Sequence, residues 1–245
     1  MKKKFVWCIV SFIFIAILST GIFAAGQKEE KKKTGKLRVA LLLPGPITDQ
    51  GWNQLAYNAL KAVEKEFNAE IAYTERTPAS DYEEIFRGYA VAGYDVIMGH
   101  GFEFGDAAKK VGKEFPKQIF IVTSTNIFQA PNVASFRIND PQSGFVQGYI
   151  AALLTKTNKI GTIGGMEIPP VINQQKGFEA GAKYYNPNIE VVSALIGNFE
   201  DVAKAKEMAK AMYQAGADII VADADEASLG IVEAARETGN KVIGS

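Results

Sequence analysis

Residues 39–60 read VALLLPGPITDQGWNQLAYNAL, and the fold class follows from how this stretch changes character along its length. The apolar run 37–43 has the length of a strand buried on both faces. Pro44, Gly45 and Pro46 end it, because proline has no amide to give to a ladder. Thr48 or Asp49 can cap a helix starting just beyond them. From Trp52 the apolar residues fall at Leu55, Ala56, Ala59, Leu60, Val63 and Phe67, the spacing of one helical face. The stretch is therefore strand, tight loop, helix. In open parallel sheets that junction lies at the carboxyl end of a strand, where such folds hold ligands. The loop carries a carboxylate at Asp49, a flat ring at Trp52 and an amide at Asn53, groups that suit a planar, hydrogen-bonding ligand. The same residues also fit a plainer role, Asp49 as an N-cap and Trp52 as a core anchor.

The pattern repeats downstream. Strands are expected near 37–43, 70–74, 94–99, 118–123, 133–138, 159–164, 189–196, 218–222 and 241–244. Helices are expected near 52–67, 80–92, 104–114, 142–155, 170–185, 201–215 and 226–238. Strands separated by helices imply parallel sheets covered on both faces, an α/β architecture. Gly93, Gly216 and Gly239 stand just past helix ends, where a left-handed cap favours glycine. The βα rhythm restarts after Asn139–Asp140, which predicts two similar lobes.

Composition narrows the function. The chain has 245 residues, 47% hydrophobic and 22% charged, with 27 basic and 27 acidic side chains, so its bulk charge gives no sign of nucleic-acid binding. Lys2, Lys3 and Lys4 precede an apolar run, and small residues, Ala24, Ala25 and Gly26, come after it. Residues 1–25 read as a secretory signal peptide, with an uncleaved anchor as the plainer competitor. Its removal takes three lysines, leaving 24 basic against 27 acidic groups and a net charge of −3, together with Cys8, the sole cysteine. Disulfides are then excluded, and the core has to hold the fold unaided. Residues 26–35 are a charged tether expected to be disordered.

With His100 the single histidine and no cysteine after position 8, no metal set is visible and no cofactor is expected. No nucleophile elbow, Walker A loop or dinucleotide fingerprint occurs. His100, in GHGFEFG, reads as a loop hydrogen-bonder.

Several segments, in order, resemble the BMP family (basic membrane protein, purine-nucleoside-receptor-like), extracytoplasmic substrate-binding proteins of ABC transporters. They are DQGWNQ at 49–54, GHGFEFGD at 99–106, SGFVQGYIAAL at 143–153, KIGTIGG at 159–165, GFEAGAK at 177–183 and GNFED at 197–201 with Ala203-Lys204. The resemblance spans nearly all of 36–245. It implies a type I periplasmic-binding-protein fold, two Rossmann-like lobes joined by a hinge. Lobe one would occupy 36–139 and lobe two 140–245. The chain stops before the family's return strands, so lobe one is expected to be incomplete, with a C-terminal part missing. The resemblance also implies that Trp52 and Phe199 sandwich a purine while Asp49 and Asn53 pair with the base. Phe102 and Asp106 would lie at the pocket edge, and Asp225 would form part of its wall.

Two departures bear on specificity. Residues 224–228 read ADEAS where many family members have a glycine-rich loop, and Trp52 stands where the nucleoside binders carry phenylalanine. A branch with a Gly-Trp pair here resembles binders of free purine bases. The expected function is a secreted solute-binding protein, monomeric, in the periplasm or on the outer face of the plasma membrane. It would carry a purine nucleoside or related planar ligand to a membrane permease. A free base is one alternative, and a nucleoside hydrolase using Asp49 and Asp106 is the enzymatic one.

Overall fold

The computed structural model describes residues 35–244. The signal peptide expected at 1–25, Cys8 and nearly all of the tether lie outside these residues. The first sheet takes β1 (Arg38–Leu42), β2 (Glu70–Thr74), β3 (Val96–Gly99), β4 (Ile119–Thr123) and β5 (Val133–Phe136), in the order β2-β1-β3-β4-β5. Between its strands run α1 (Trp52–Phe67), α2 (Tyr82–Val91) and α3 (Gly105–Glu114). Then α4 (Asp140–Leu154) leads to the second sheet. That sheet is built from β6 (Lys159–Gly164), β7 (Glu190–Leu195), β8 (Ile219–Asp223) and β9 (Lys241–Gly244), in the order β7-β6-β8-β9. Its helices are α5 (Pro169–Tyr185), α6 (Val202–Gln214) and α7 (Ser228–Thr238). Every strand pair in both sheets is parallel. This is the two-lobed α/β architecture of type I periplasmic binding proteins.

The strands read as unbroken apolar runs because both faces of each sheet are covered. On β1, Ala40 and Leu42 join Ile97, Phe86, Phe104, Phe120 and Val111 on the α2–α3 side. Val39, Leu41 and Leu43 join Leu60 and Val63 on the α1 side. The period-two alternation of a strand delivers successive residues to opposite cores. In the second lobe Ile160, Ile219 and Val221 pack with Ala151, Ala152 and Phe178 of α4 and α5. Ile163, Ile220 and Ala222 face Ala205, Ala209, Ile231 and Ala234 of α6 and α7. Gly93, Gly216 and Gly239 all have positive φ, the conformation expected of helix-ending glycines.

The structure departs from the sequence expectation at local ends. Helix α4 begins at Asp140 rather than 142, because the Asn139 side chain accepts the Gln142 amide and Pro141 suits the first turn. Three single 3₁₀ turns, Ala79–Asp81, Phe102–Phe104 and Asp225–Ala227, precede α2, α3 and α7. They are too short for any periodicity to reveal. Among the described residues no helix is long and apolar enough to cross a membrane.

Helices α4 and α5 are pressed together through glycines spaced by four in each. A Cβ on Gly144 would lie 2.0 Å from the Gln174 carbonyl oxygen, and one on Gly148 would lie 1.9 Å from that of Phe178. Reciprocally, Gly177 and Gly181 meet the carbonyls of Pro141 and Phe145 at 2.1 and 1.9 Å. The obstacles are backbone, which cannot swing aside. Gly148→Ala is therefore expected to cost at least ~3 kcal/mol. In a domain of this size that lowers the melting temperature by roughly 6–12 °C. Gly88, exposed in α2 with nothing within 4 Å of an added Cβ, is the control. Gly88→Ala should stabilise by about 0.5–1 kcal/mol. Thermal melts of both variants check the pair, and an unperturbed Gly148→Ala would refute the close approach.

Candidate functional site

The loops at the carboxyl ends of β1, β3, β7 and β8 gather the sequence-predicted residues. The loop after β1 is organised by Asp49, which is 3% exposed. Its Oδ1 accepts the Gly51 and Gln54 amides at 3.0 and 2.9 Å. Its Oδ2 accepts the Asn53 amide and the Asn53 Nδ2, both at 2.8 Å. The cap position of α1 is Gly51, with no side-chain bond of its own, so Asp49 caps the helix from two residues upstream. Asn53, 4% exposed, completes the network by accepting the Gly45 amide at 3.2 Å. Burial pushes the Asp49 carboxyl up, but the amides of Asn53, Gln54 and Gly51 and the Asn53 side chain outweigh it. Its pKa lies below the ordinary value and it stays ionised.

These geometries show a structural role for two of the expected residues. Asp49 and Asn53 are buried and hold the loop, with four donors on the Asp49 carboxylate and Asn53 engaged by Asp49 and the Gly45 amide.

What the loop presents is Trp52. Its ring is half-buried and stacks on His100, centroids 4.0 Å apart and planes 23° from parallel. His100 is 8% exposed, with Nε2 3.1 Å from the Trp52 carbonyl oxygen and Nδ1 3.2 Å from Thr123 Oγ1. A carbonyl can only accept, so Nε2 carries the proton, and Nδ1 accepts from the threonine hydroxyl. Burial lowers the imidazole pKa to about 4, against the opposing pull of the Trp52 carbonyl and the Asp49 charge. His100 is thus a neutral hydrogen-bonder, as its loop position implies, and also the backing of one indole face. That second role was hidden because 48 residues separate the pair in sequence.

Phe199, half-buried in the loop after β7, lies over Gly165, where an added Cβ would sit 2.1 Å from the ring. Its carbonyl accepts the Ala227 amide at 3.0 Å, tying this loop to the 3₁₀ turn after β8. In that turn Asp225 has φ 45°, a left-handed backbone. A Cβ on Gly51 would lie 3.6 Å from both its Cα and its Oδ1, so the second lobe touches the Trp52 loop here. Burial first, then the charges of Asp49 and Asp223, push the Asp225 carboxyl up to about 7, although the Trp52 amide favours its ionised form.

The remaining expected residues are less central. Phe102 is half-buried at the start of its 3₁₀ turn, while Phe104 is the ring that enters the core. Asp106 has 96% of its side chain exposed and pairs with Lys109 at 2.8 Å. It lines a surface groove with Tyr82, Glu83, Arg87 and Glu103 that does not include Trp52. Among the described residues no group of three or more His, Cys, Asp or Glu could hold a metal ion.

A family model described as ABC transporter substrate-binding protein, PnrA-like, matches residues 36–245. An ABC transporter nucleoside-binding protein BmpA of Lactococcus lactis is 32% identical over 96% of this chain and 69% of its own length. Basic membrane protein A of Borreliella burgdorferi is 33% identical over 83% of this chain and 60% of its own length. The chain thus spans between 60% and 69% of the length of these two relatives. A solved solute-binding protein of an ABC transporter system from Conexibacter woesei superposes with TM-score 0.69 at 27% identity. The alignment covers 85% of this chain and 70% of that one. A solute-binding protein structure from Aeropyrum pernix gives TM-score 0.75 at 24% identity, over 83% of this chain and 59% of that one, a likeness of fold.

The buried His100 generates a pH signature. Its folded-state pKa lies below the ordinary 6.5, so only the unfolded chain takes up the proton between pH 6.5 and about 4. Stability is lost as pH falls through that window, at up to ~1.4 kcal/mol per unit and about 3 kcal/mol in all. Urea denaturation at pH 7.5, 6, 5 and 4.5 should show this component in the native sequence and not in His100→Gln. Equal slopes in the two proteins would place the imidazole in water.

Proposed function

The chain belongs to the PnrA-like family of ABC transporter substrate-binding proteins, and we propose that within it this protein captures a purine nucleoside, or a related planar ligand, between its lobes. The observation that carries this reading is Trp52. A buried hydrogen-bond network whose other members are turned inward exists to hold this ring at the carboxyl edge of the sheet, with one face backed by His100. A ring fixed in that way has little freedom left to lose when a planar ligand stacks on it. Phe199, in the facing loop of the second lobe, serves as the other ring. Phe102 lies at the rim and Asp225 in the wall, while Asp49 and Asn53 act through the loop they hold. A relative named as nucleoside-binding supports the ligand class.

The lobes, 36–139 and 140–245, close about a hinge at Asn139–Asp140, and the loaded protein docks on a membrane permease outside the cytoplasm. Transporter binding proteins among the relatives and solved neighbours argue against the hydrolase alternative. So does the contrast between a buried, saturated Asp49 and an exposed, ion-paired Asp106.

Titration with guanosine, inosine, adenosine and the free bases tests the reading. Trp52→Ala should remove about 1–3 kcal/mol of purine affinity, roughly 5- to 150-fold in Kd. The melting temperature should fall less than for a buried aromatic truncation of ~3–5 kcal/mol. If no purine binds the full chain, or if the variant unfolds outright, Trp52 is a core residue and the ligand is of another class.

A further inference from the structure

Asp49, Asp223 and Asp225 come from both lobes and converge where the lobes touch. Asp223 ends β8, Asp225 opens the 3₁₀ turn before α7, and Asp49 belongs to the loop after β1. Asp225 holds the uncommon left-handed conformation for a residue with a side chain, φ 45°, directly against Gly51. The Trp52 amide favours the ionised form of its carboxylate, against burial and the two acidic neighbours. On this geometry, and resting on the reading that ligand is captured by lobe closure, we propose that the Asp225 carboxyl is a proton-dependent latch between the lobes. Protonated, it lets the second lobe close against the Trp52 loop; ionised, it opposes closure.

The charged groups around it fix the direction. From the first lobe comes Asp49, ionised at all relevant pH, and behind Trp52 stands His100, neutral above about pH 4. From β8 comes Asp223, and Glu226 is the next residue of the same turn. The segment packed on the turn through the Phe199–Ala227 bond carries Glu200, Asp201 and Lys204. Asp201 is engaged by the Lys204 amide, and the Lys204 ammonium by the Ile196 carbonyl at 2.6 Å. The groups that act on Asp225 by charge are thus Asp49 and Asp223, both carboxylates.

Contact with the first lobe buries Asp225 and sets it beside Asp49. The closed arrangement therefore raises its pKa from the ordinary 3.8 to about 7, and parting the lobes returns it toward 3.8. Closure takes up a proton within that window. It is favoured at the acid end, weakens as pH rises toward 7, and is pH-independent above. Asparagine is the informative replacement, since it keeps the shape, tolerates left-handed backbone and cannot ionise.

Two measurements on the full chain test the latch. In ligand-free protein, tryptophan emission should step between about pH 5 and 7 in the native sequence, below the closed-state pKa and above that of His100, and the step should vanish in Asp225→Asn; Trp7 contributes equally to both. Guanosine should bind about tenfold or more weakly at pH 8 than at pH 5.5, within the limit of tenfold per pH unit for one proton. Asp225→Asn should bind it equally at both. A missing emission step, a step that survives in Asp225→Asn, or equal guanosine affinity at both pH values in the native protein overturns the latch. If the step is present and Asp225-dependent but no purine binds at either pH, the purine reading falls and the latch stands.

Discussion

Four donors converge on the carboxylate of Asp49, and most of the site depends on that arrangement. A buried carboxylate without partners would be driven to its neutral form or unfold its surroundings. Here each oxygen accepts two bonds, three of the four from backbone amides at the start of α1. There the helix otherwise leaves donors unsatisfied and its dipole favours negative charge. One side chain therefore starts the helix, closes the loop over Asn53 and sets the angle at which Trp52 leaves the backbone. Because the same bonds keep Asp49 ionised, it is also a fixed negative charge beside the second lobe.

The two lobes use different packing to the same end. The first fills one face of its sheet with aromatic rings, Phe86, Phe104 and Phe120, in tilted or edge-to-face contact. The second brings helices together until backbone meets backbone, with alanine and glycine at α4–α5 and again where Gly230 of α7 meets the Val202 carbonyl. Neither arrangement deforms easily, since interiors at native density transmit displacement rather than absorb it. In the reading proposed above, relative motion falls to the connection at Asn139–Asp140 and to loop contacts such as Gly51–Asp225.

Where the sequence was informative, the reason was burial on two faces. Parallel strands covered by helices leave unmistakable apolar runs, so β1 through β9 and helices α1 through α7 of the described residues could be placed from pattern. The 3₁₀ turns before α2, α3 and α7 left no period to read, and the start of α4 depended on a cap formed by Asn139. Candidate site residues could be located but not given roles. Whether Asp49 faces a ligand or its own loop is decided by lone pairs, and DQGWN fits either geometry. The Trp52–His100 stack joins residues 48 apart, and the Asp225–Gly51 contact joins two lobes. Neither has a local signature.

The identity of the residue behind Trp52 has an electrostatic consequence. Had a lysine or arginine filled the place of His100, its charge would offset part of the Asp49 repulsion on Asp225, leaving burial and Asp223 to raise that carboxyl. Histidine can stack just as flat, but burial holds its pKa near 4, so it brings no positive charge to the contact at neutral pH. The charges of Asp49 and Asp223 then act on Asp225 without compensation from that side. The group left to relieve the repulsion is Asp225 itself, by taking a proton. The neutral imidazole that backs the indole and the raised carboxyl at the lobe contact are thus two effects of one cause, the burial of polar groups around an ionised Asp49.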